Sequence, residues 1–174
     1  MCGRLRYNEC MALFFISAVS GTGKTTLMHE LRRLGEEAHD TDTECIRCSK
    51  RTGEPIGYDE AKRDGYDWIY PGEALQKLKA QSRTKNIFLL GSIDNSDEVK
   101  AAADEYIWMS IPRETLVSRL ETRQKEYGKS DSERQLILAL YEKMSSAHDA
   151  ATTFTLDATK PVEDIAKDLL AHIS

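Results

Sequence analysis

The chain has 174 residues, and no apolar run in it approaches the ~20 residues that a membrane-crossing helix needs. The run from Met11 to Ile16 is too short, and no small-residue cleavage pattern follows it, so neither an anchor nor a secretory leader is expected. Positive charge is not in excess: 24 Lys and Arg stand against 29 Asp and Glu, a net charge of -5. That balance provides no electrostatic footprint for an extended nucleic-acid surface or an anionic membrane. Cysteine is scarce, with Cys2, Cys10, Cys45 and Cys48 forming no spaced framework, and a chain this long builds a core without disulfides. Cys45-x-x-Cys48, on an expected helix, is two ligands short of a zinc site and reads as incidental. Repeats and low-complexity tracts are absent. A cytoplasmic location is the default expectation.

What is present is an ordinary soluble balance, 40% hydrophobic and 30% charged, at a length that suggests one domain. Residues 1–10, MCGRLRYNEC, carry charge and no periodicity; a flexible extension is expected there, followed by a single domain over 11–174. Leu13-Phe14-Phe15-Ile16, Asn86 to Leu90, Tyr106 to Ile111 and Thr153 to Leu156 read as strands, and a shorter one lies within EEAHDTD. Between them, apolar residues recur at helical spacing: Leu27, Leu31 and Leu34; Ala74, Leu75 and Leu78; Leu116, Val117 and Leu120; Leu136, Ile137 and Leu140. A short helix is expected over Asp97 to Ala103, and a last one from Pro161 to about Ile173. Ser132 is the expected cap of the helix before the last strand, with Gln135 in the capping-box position. Unbroken apolar strands alternating with helices predict an α/β domain: a five-stranded parallel sheet with helices on both faces. Residues 43–70 fit neither period. They hold Gly53, Pro55, Gly57 and Gly65 and the aromatics Tyr58, Tyr66, Trp68 and Tyr70, and a long irregular stretch in a compact domain is a candidate binding segment.

The first strand runs into Ala18-Val19-Ser20-Gly21-Thr22-Gly23-Lys24-Thr25, which matches G-x-x-x-x-G-K-[ST] except at its first position. Gly21 and Gly23 remove the Cβ where backbone amides turn inward around an anion. Lys24 brings charge to terminal phosphates, Thr25 brings a hydroxyl suited to Mg²⁺, and the following helix adds its positive end. Ala18 leaves the strand and needs no positive φ. The expected nucleotide contacts are therefore Ser20, Gly21, Thr22, Gly23, Lys24, Thr25 and Thr26, and the expected ligands are ATP and Mg²⁺.

About fifteen residues beyond the loop stands Asp40-Thr41-Asp42, after a short strand. In a parallel sheet that strand's C-terminal end faces the same crevice as the loop. One carboxylate there suits a metal, and the other suits the proton of an attacking hydroxyl. Further on, Arg119 and Arg123 are four apart, one helical face with two guanidinium forks.

These three features together resemble the small P-loop kinases of the shikimate kinase, gluconate kinase and adenylate kinase type. The resemblance runs from Met11 nearly to the C-terminus and implies a three-layer P-loop kinase fold with a lid. By resemblance Asp40 lies near the metal with Thr25, and Asp42 binds acceptor hydroxyls. Arg119 and Arg123 reach the transferring phosphoryl group, and 123–131 is the lid loop. The segment 43–70 takes the acceptor-binding place, with Trp68, Gly91 and Asn95 as further substrate contacts. The stretch Asp157 to Pro161 matches the loop that passes the adenine. Two departures are plain. The strand ending Leu89-Leu90-Gly91 lacks the glycine triplet of shikimate kinases, and no acid stands at its end. The expected activity is thus ATP- and Mg²⁺-dependent phosphoryl transfer to an unnamed small molecule. A nucleoside or nucleoside-monophosphate kinase is the alternative within that class, and a regulatory NTPase or a nucleotide-binding module without an acceptor is the alternative outside it.

Overall fold

The computed structural model describes residues 11–122, 128, 130–146 and 151–174. The expected N-terminal extension over 1–10, Arg123 and most of the expected lid loop lie outside the described residues. Strands β1 (Leu13–Ser17), β2 (Glu37–Asp40), β5 (Ile87–Gly91), β6 (Glu105–Ser110) and β7 (Thr152–Asp157) form one parallel sheet in the order β2-β5-β1-β6-β7. Five parallel strands are what the apolar runs predict. Every residue of β1 and β5 is buried, which is why these two strands show no alternation.

The pleat sends successive side chains to opposite faces and so divides the core in two. Phe14, Ile16, Phe88 and Leu90 pack with α1 (Lys24–Arg33), α5 (Arg113–Glu121) and α7 (Val162–Ile173) on one face. Leu13, Phe15, Ile87 and Leu89 pack with α3 (Gly72–Gln81) and α4 (Ser96–Ala102) on the other. Phe14 stacks on Phe88 with centroids 5.1 Å apart, and Phe15 stacks on Tyr106 at 5.6 Å. No helix among the described residues is long and apolar enough to cross a membrane.

The stretch 43–70 is not irregular. A 3-10 turn (Thr41–Thr43) leads into β3 (Ile46–Ser49), then α2 (Tyr58–Asp64) and β4 (Tyr66–Ile69). β3 and β4 pair antiparallel, apart from the main sheet. Each has four residues of mixed polarity and a single partner strand, so neither carries the apolar signature of a core strand. Cys48 accordingly lies on a strand and not on a helix. Burial, and next the Asp42 carboxylate, push the Cys45 thiol up to about 12. It stays protonated at neutral pH.

Helix α6 (Asp131–Ser146) begins one cap earlier than expected. Ser130 Oγ accepts from the Glu133 N–H at 3.3 Å, and Glu133 Oε2 accepts from the Ser130 N–H at 3.3 Å. Ser130 and Glu133 make the capping box, not Ser132 and Gln135, because Glu133 also reaches the Gly128 N–H at 3.0 Å and closes the turn.

Gly91, at the C-terminal end of β5, is required by contact. A Cβ on it would lie 1.8 Å from Thr41 Oγ1 and 2.5 Å from Thr41 Cβ. Gly91, expected among the substrate contacts, has a packing role as well: it lets the 3-10 turn close onto β5. Gly91→Ala should destabilise the protein by about 1–3 kcal/mol, the cost of overpacking a full site. Chemical denaturation checks this, and a wild-type midpoint would refute the contact.

Candidate functional site

β1 delivers the chain to the Ala18–Thr25 loop at the sheet's C-terminal edge. Gly21 and Gly23 take φ of 95° and 117°, a region that L side chains rarely adopt, and Gly23 is the residue from which α1 starts. The loop amides therefore converge at a helix N-terminus, an arrangement suited to an anion. Lys24 Nζ donates to the carbonyls of Ala18 at 2.6 Å and Val19 at 3.1 Å, which holds the ammonium over the loop. Ser20, Gly21, Gly23, Lys24 and Thr25 are half-buried, and Thr26 is exposed. Thr22 is different. Its side chain is buried, and its hydroxyl finds no partner among the described residues, so it offers the loop its backbone and not its oxygen.

Ser92, just past β5, donates its hydroxyl to the Ala18 carbonyl. The end of β5, which carries no acid, is thereby tied to the first residue of the loop.

Arg119 on α5 spans two loops. Nη1 donates to the Thr22 carbonyl and Nη2 to the Ala158 carbonyl, each at 2.8 Å. The guanidinium lines a groove of about 360 Å³ with Gly21, Thr26, Lys160 and Ile165. Arg119 thus stands on the flank between the loop and the β7–α7 connection, committed to two carbonyls and not extended over the crevice.

The register puts the acids on the same edge. Asp40 is level with Leu90 across β2–β5, and Leu90 is level with Ile16 across β5–β1. Two strand spacings separate Asp40 from β1, about 10 Å. Asp40 Oδ1 accepts from the Asp42 N–H at 3.0 Å and so caps the 3-10 turn. Asp42 is exposed, and its Oδ1 accepts from Trp68 Nε1 at 2.9 Å. One oxygen of each carboxylate is used in this way.

Of the four aromatics in the expected binding segment, Tyr70 is only 2% exposed and belongs to the core. The other three gather around a cation of the protein itself. The Arg47 guanidinium lies 5.0 Å from the Trp68 ring centroid, 5.4 Å from that of Tyr58 and 5.6 Å from that of Tyr66. Arg47 and Trp68 are partners in the β3–β4 register, a pairing that no local sequence signal announces. Trp68 is half-buried, with its indole N–H on Asp42, its face toward Arg47 and an edge contact to Tyr66.

Asn95, an expected substrate contact, also has partners within the chain. Its Oδ1 accepts from the Tyr70 N–H at 2.9 Å, and its Nδ2 donates to the Tyr70 carbonyl and to Glu98 Oε2, each at 3.0 Å. Asp94 clamps the same segment one step away: Oδ2 accepts from the Trp68 N–H at 2.6 Å, and the Asp94 N–H donates to the Trp68 carbonyl at 2.9 Å. These two residues continue the edge of β4 where a further strand would pair. Sequence reasoning placed Asn95 among the substrate contacts but missed this clamping role, and it did not foresee the rings around Arg47.

No family model matches the chain, and no curated protein matches it. Solved structures do resemble it. A shikimate kinase from Acinetobacter baumannii, in complex with shikimate, is 17% identical with a TM-score of 0.64, covering 95% of this chain and 94% of that one. A gluconokinase from Sinorhizobium meliloti is 14% identical with a TM-score of 0.55, covering 95% and 92%. A sugar kinase from a Janibacter species is 19% identical with a TM-score of 0.55, covering 91% and 92%. The fold is that of the P-loop kinases. Within them it is the arrangement shared by these shikimate, gluconate and sugar kinases, over nearly the full length of each.

Asn95→Ala should leave the Tyr70 N–H and carbonyl without partners and cost about 2 kcal/mol of stability. Urea unfolding followed by tryptophan emission checks it; unchanged stability would remove the clamp.

Proposed function

We propose that the protein is a small-molecule kinase, moving the γ-phosphoryl group of ATP to a hydroxyl or phosphate of a small acceptor. The observation that carries this reading is the register that puts Lys24 and the Asp40–Asp42 pair on one edge of the sheet. A phosphate cradle alone would suit any NTPase. A pair of carboxylates about two strands away, each with an oxygen to spare, suits an acceptor as well.

In this reading the amides from Ser20 to Thr26 and the Lys24 ammonium hold the β- and γ-phosphates. The Thr25 hydroxyl and the second oxygen of Asp40 would hold Mg²⁺, and the half-buried positions of both suit that task. Bound Mg²⁺ neutralises charge on the β- and γ-oxygens. Asp42, fixed by Trp68, orients the acceptor O–H and accepts its proton as the oxygen bonds to phosphorus and the bridging bond to ADP breaks. Arg119 serves the nucleoside side of the cradle, where it lines the groove. Arg123 keeps the expected task of closing over the phosphoryl group and excluding water. Arg47, backed by three rings, offers a fixed cation near Asp42 for an anionic group on the acceptor. Those rings already contact Arg47, which counts against a base stacked among them.

An ADP-release screen across nucleosides, nucleoside monophosphates, sugars, sugar acids and aminoglycosides tests the class. ADP release that depends on one acceptor supports a kinase; slow release indifferent to all of them supports a regulatory NTPase. Lys24→Ala should lower turnover by at least about 100-fold while the fold survives, because its ammonium serves charge that develops in the reaction. Full activity in that variant would sink the assignment. Asp42→Asn should lower acceptor phosphorylation by about 100-fold and leave nucleotide affinity unchanged. Loss of nucleotide binding instead would place Asp42 on the donor.

A further inference from the structure

A second cavity lies away from the loop, on the flank of the sheet between edge strand β2 and helix α3. It is an open groove of about 510 Å³, with Glu44, Glu73 and Lys77 exposed along it. Tyr70 lines it and is 2% exposed. The Tyr70 main chain is satisfied by Asn95, but its hydroxyl has no hydrogen-bond partner among the described residues. Among the described residues the buried hydroxyls left without a partner are those of Thr22 and Thr41, so the Tyr70 oxygen opens on the groove, where it can accept from a ligand. Burial, and then the Glu44 carboxylate, push this phenol up to about 12. It therefore remains a neutral hydroxyl with lone pairs to offer.

The cavity's charged groups supply the rest. Glu44 and Glu73 line it, and neither has an ion-pair partner among the described residues. Glu37 also lines it but is held by Lys85 and His39. Glu73 and Lys77 stand four apart on α3, in the order that favours a helical ion pair, yet they make none. Two unpaired carboxylates thus face one unpaired ammonium, an excess of negative charge. Pro71, Ala74 and Leu78 add an apolar wall.

We propose that this groove is a binding site for an aliphatic ammonium compound. An ammonium group has three N–H donors. The groove offers three acceptors for them, the Glu44 carboxylate, the Glu73 carboxylate and the Tyr70 hydroxyl oxygen. The methylenes of such a ligand lie along Leu78 and Ala74. Lys77 adds a partner for a carboxylate, should the compound be an amino acid and not a simple amine. The site does not depend on the kinase reading, because no residue of it belongs to the cradle or to the Asp40–Asp42 pair.

Calorimetric titration of the full chain with 1,4-diaminobutane tests this, with 1,4-butanediol as the uncharged control. Saturable one-site binding of the diamine is expected, and none of the diol. Glu73→Gln and Glu44→Gln should each weaken it about tenfold, as expected for hydrogen bonds to charged groups. Tyr70→Phe keeps the ring in the core and should weaken it about fivefold through one lost neutral acceptor. Lys24→Ala should leave it unchanged. Parallel titration with 4-aminobutanoate separates the sources: tighter binding that Lys77→Ala abolishes marks an amino acid, and equal or weaker binding marks an amine. No saturation by either ammonium compound, equal binding of the diol, or affinities untouched by all three groove variants would overturn the proposal.

Discussion

The parallel register of β1, buried on both faces, is the constraint on which the rest of the structure depends. β1 is level with β5 from Leu13–Ile87 to Ser17–Gly91, and β5 is level with β2 up to Asp40. Side chains alternate between two cores, so a slip of one residue would send Phe14 and Phe15 to the wrong faces at once. Hydrophobic burial therefore fixes a polar geometry. The loop after β1 and the acids after β2 reach the same edge because their strands cannot slide.

Close contacts then refine what the register sets. Gly91 admits Thr41 where any side chain would collide, and this seats the 3-10 turn against β5. Ser92 joins the end of β5 to Ala18, and Arg119 joins Thr22 to Ala158. Each of these bonds falls on a backbone carbonyl and so holds the loop without using its amides. Groups fixed before a ligand arrives lose little freedom when it binds. Trp68 plays the matching part on the acid side, with Asp42 at its N–H and Arg47 over its ring.

Much of this was legible along the chain. Uninterrupted apolar runs announced β1 and β5, because a strand buried on both faces has no polar position to spare. The Gly21, Gly23 and Lys24 spacing announced the loop, since its geometry is local: positive φ at two glycines, then a helix. The pairing of β3 with β4 was not legible, because short mixed-polarity strands show no period. Asn95 and Trp68 were singled out for their chemistry and placed at the crevice. Whether their polar atoms face a ligand or another segment depends on residues more than twenty positions away. Glycine at position 91 was visible, but its reason was the Thr41 side chain on another element.

The sequence by itself determined the α/β class, the five core strands, the anion-binding loop and the presence of two acids beyond it. All of these follow from local composition, spacing or backbone freedom. The tertiary structure decided which polar groups remain available. Asp40 and Asp42 each keep an oxygen, Asn95 spends both amide hydrogens on Tyr70 and Glu98, the aromatics take Arg47, and Tyr70 leaves its hydroxyl open to the groove beside α3. The reason is that hydrogen bonds between distant segments are assigned by packing, and only packing tells a side chain that meets a ligand from one that meets its own chain.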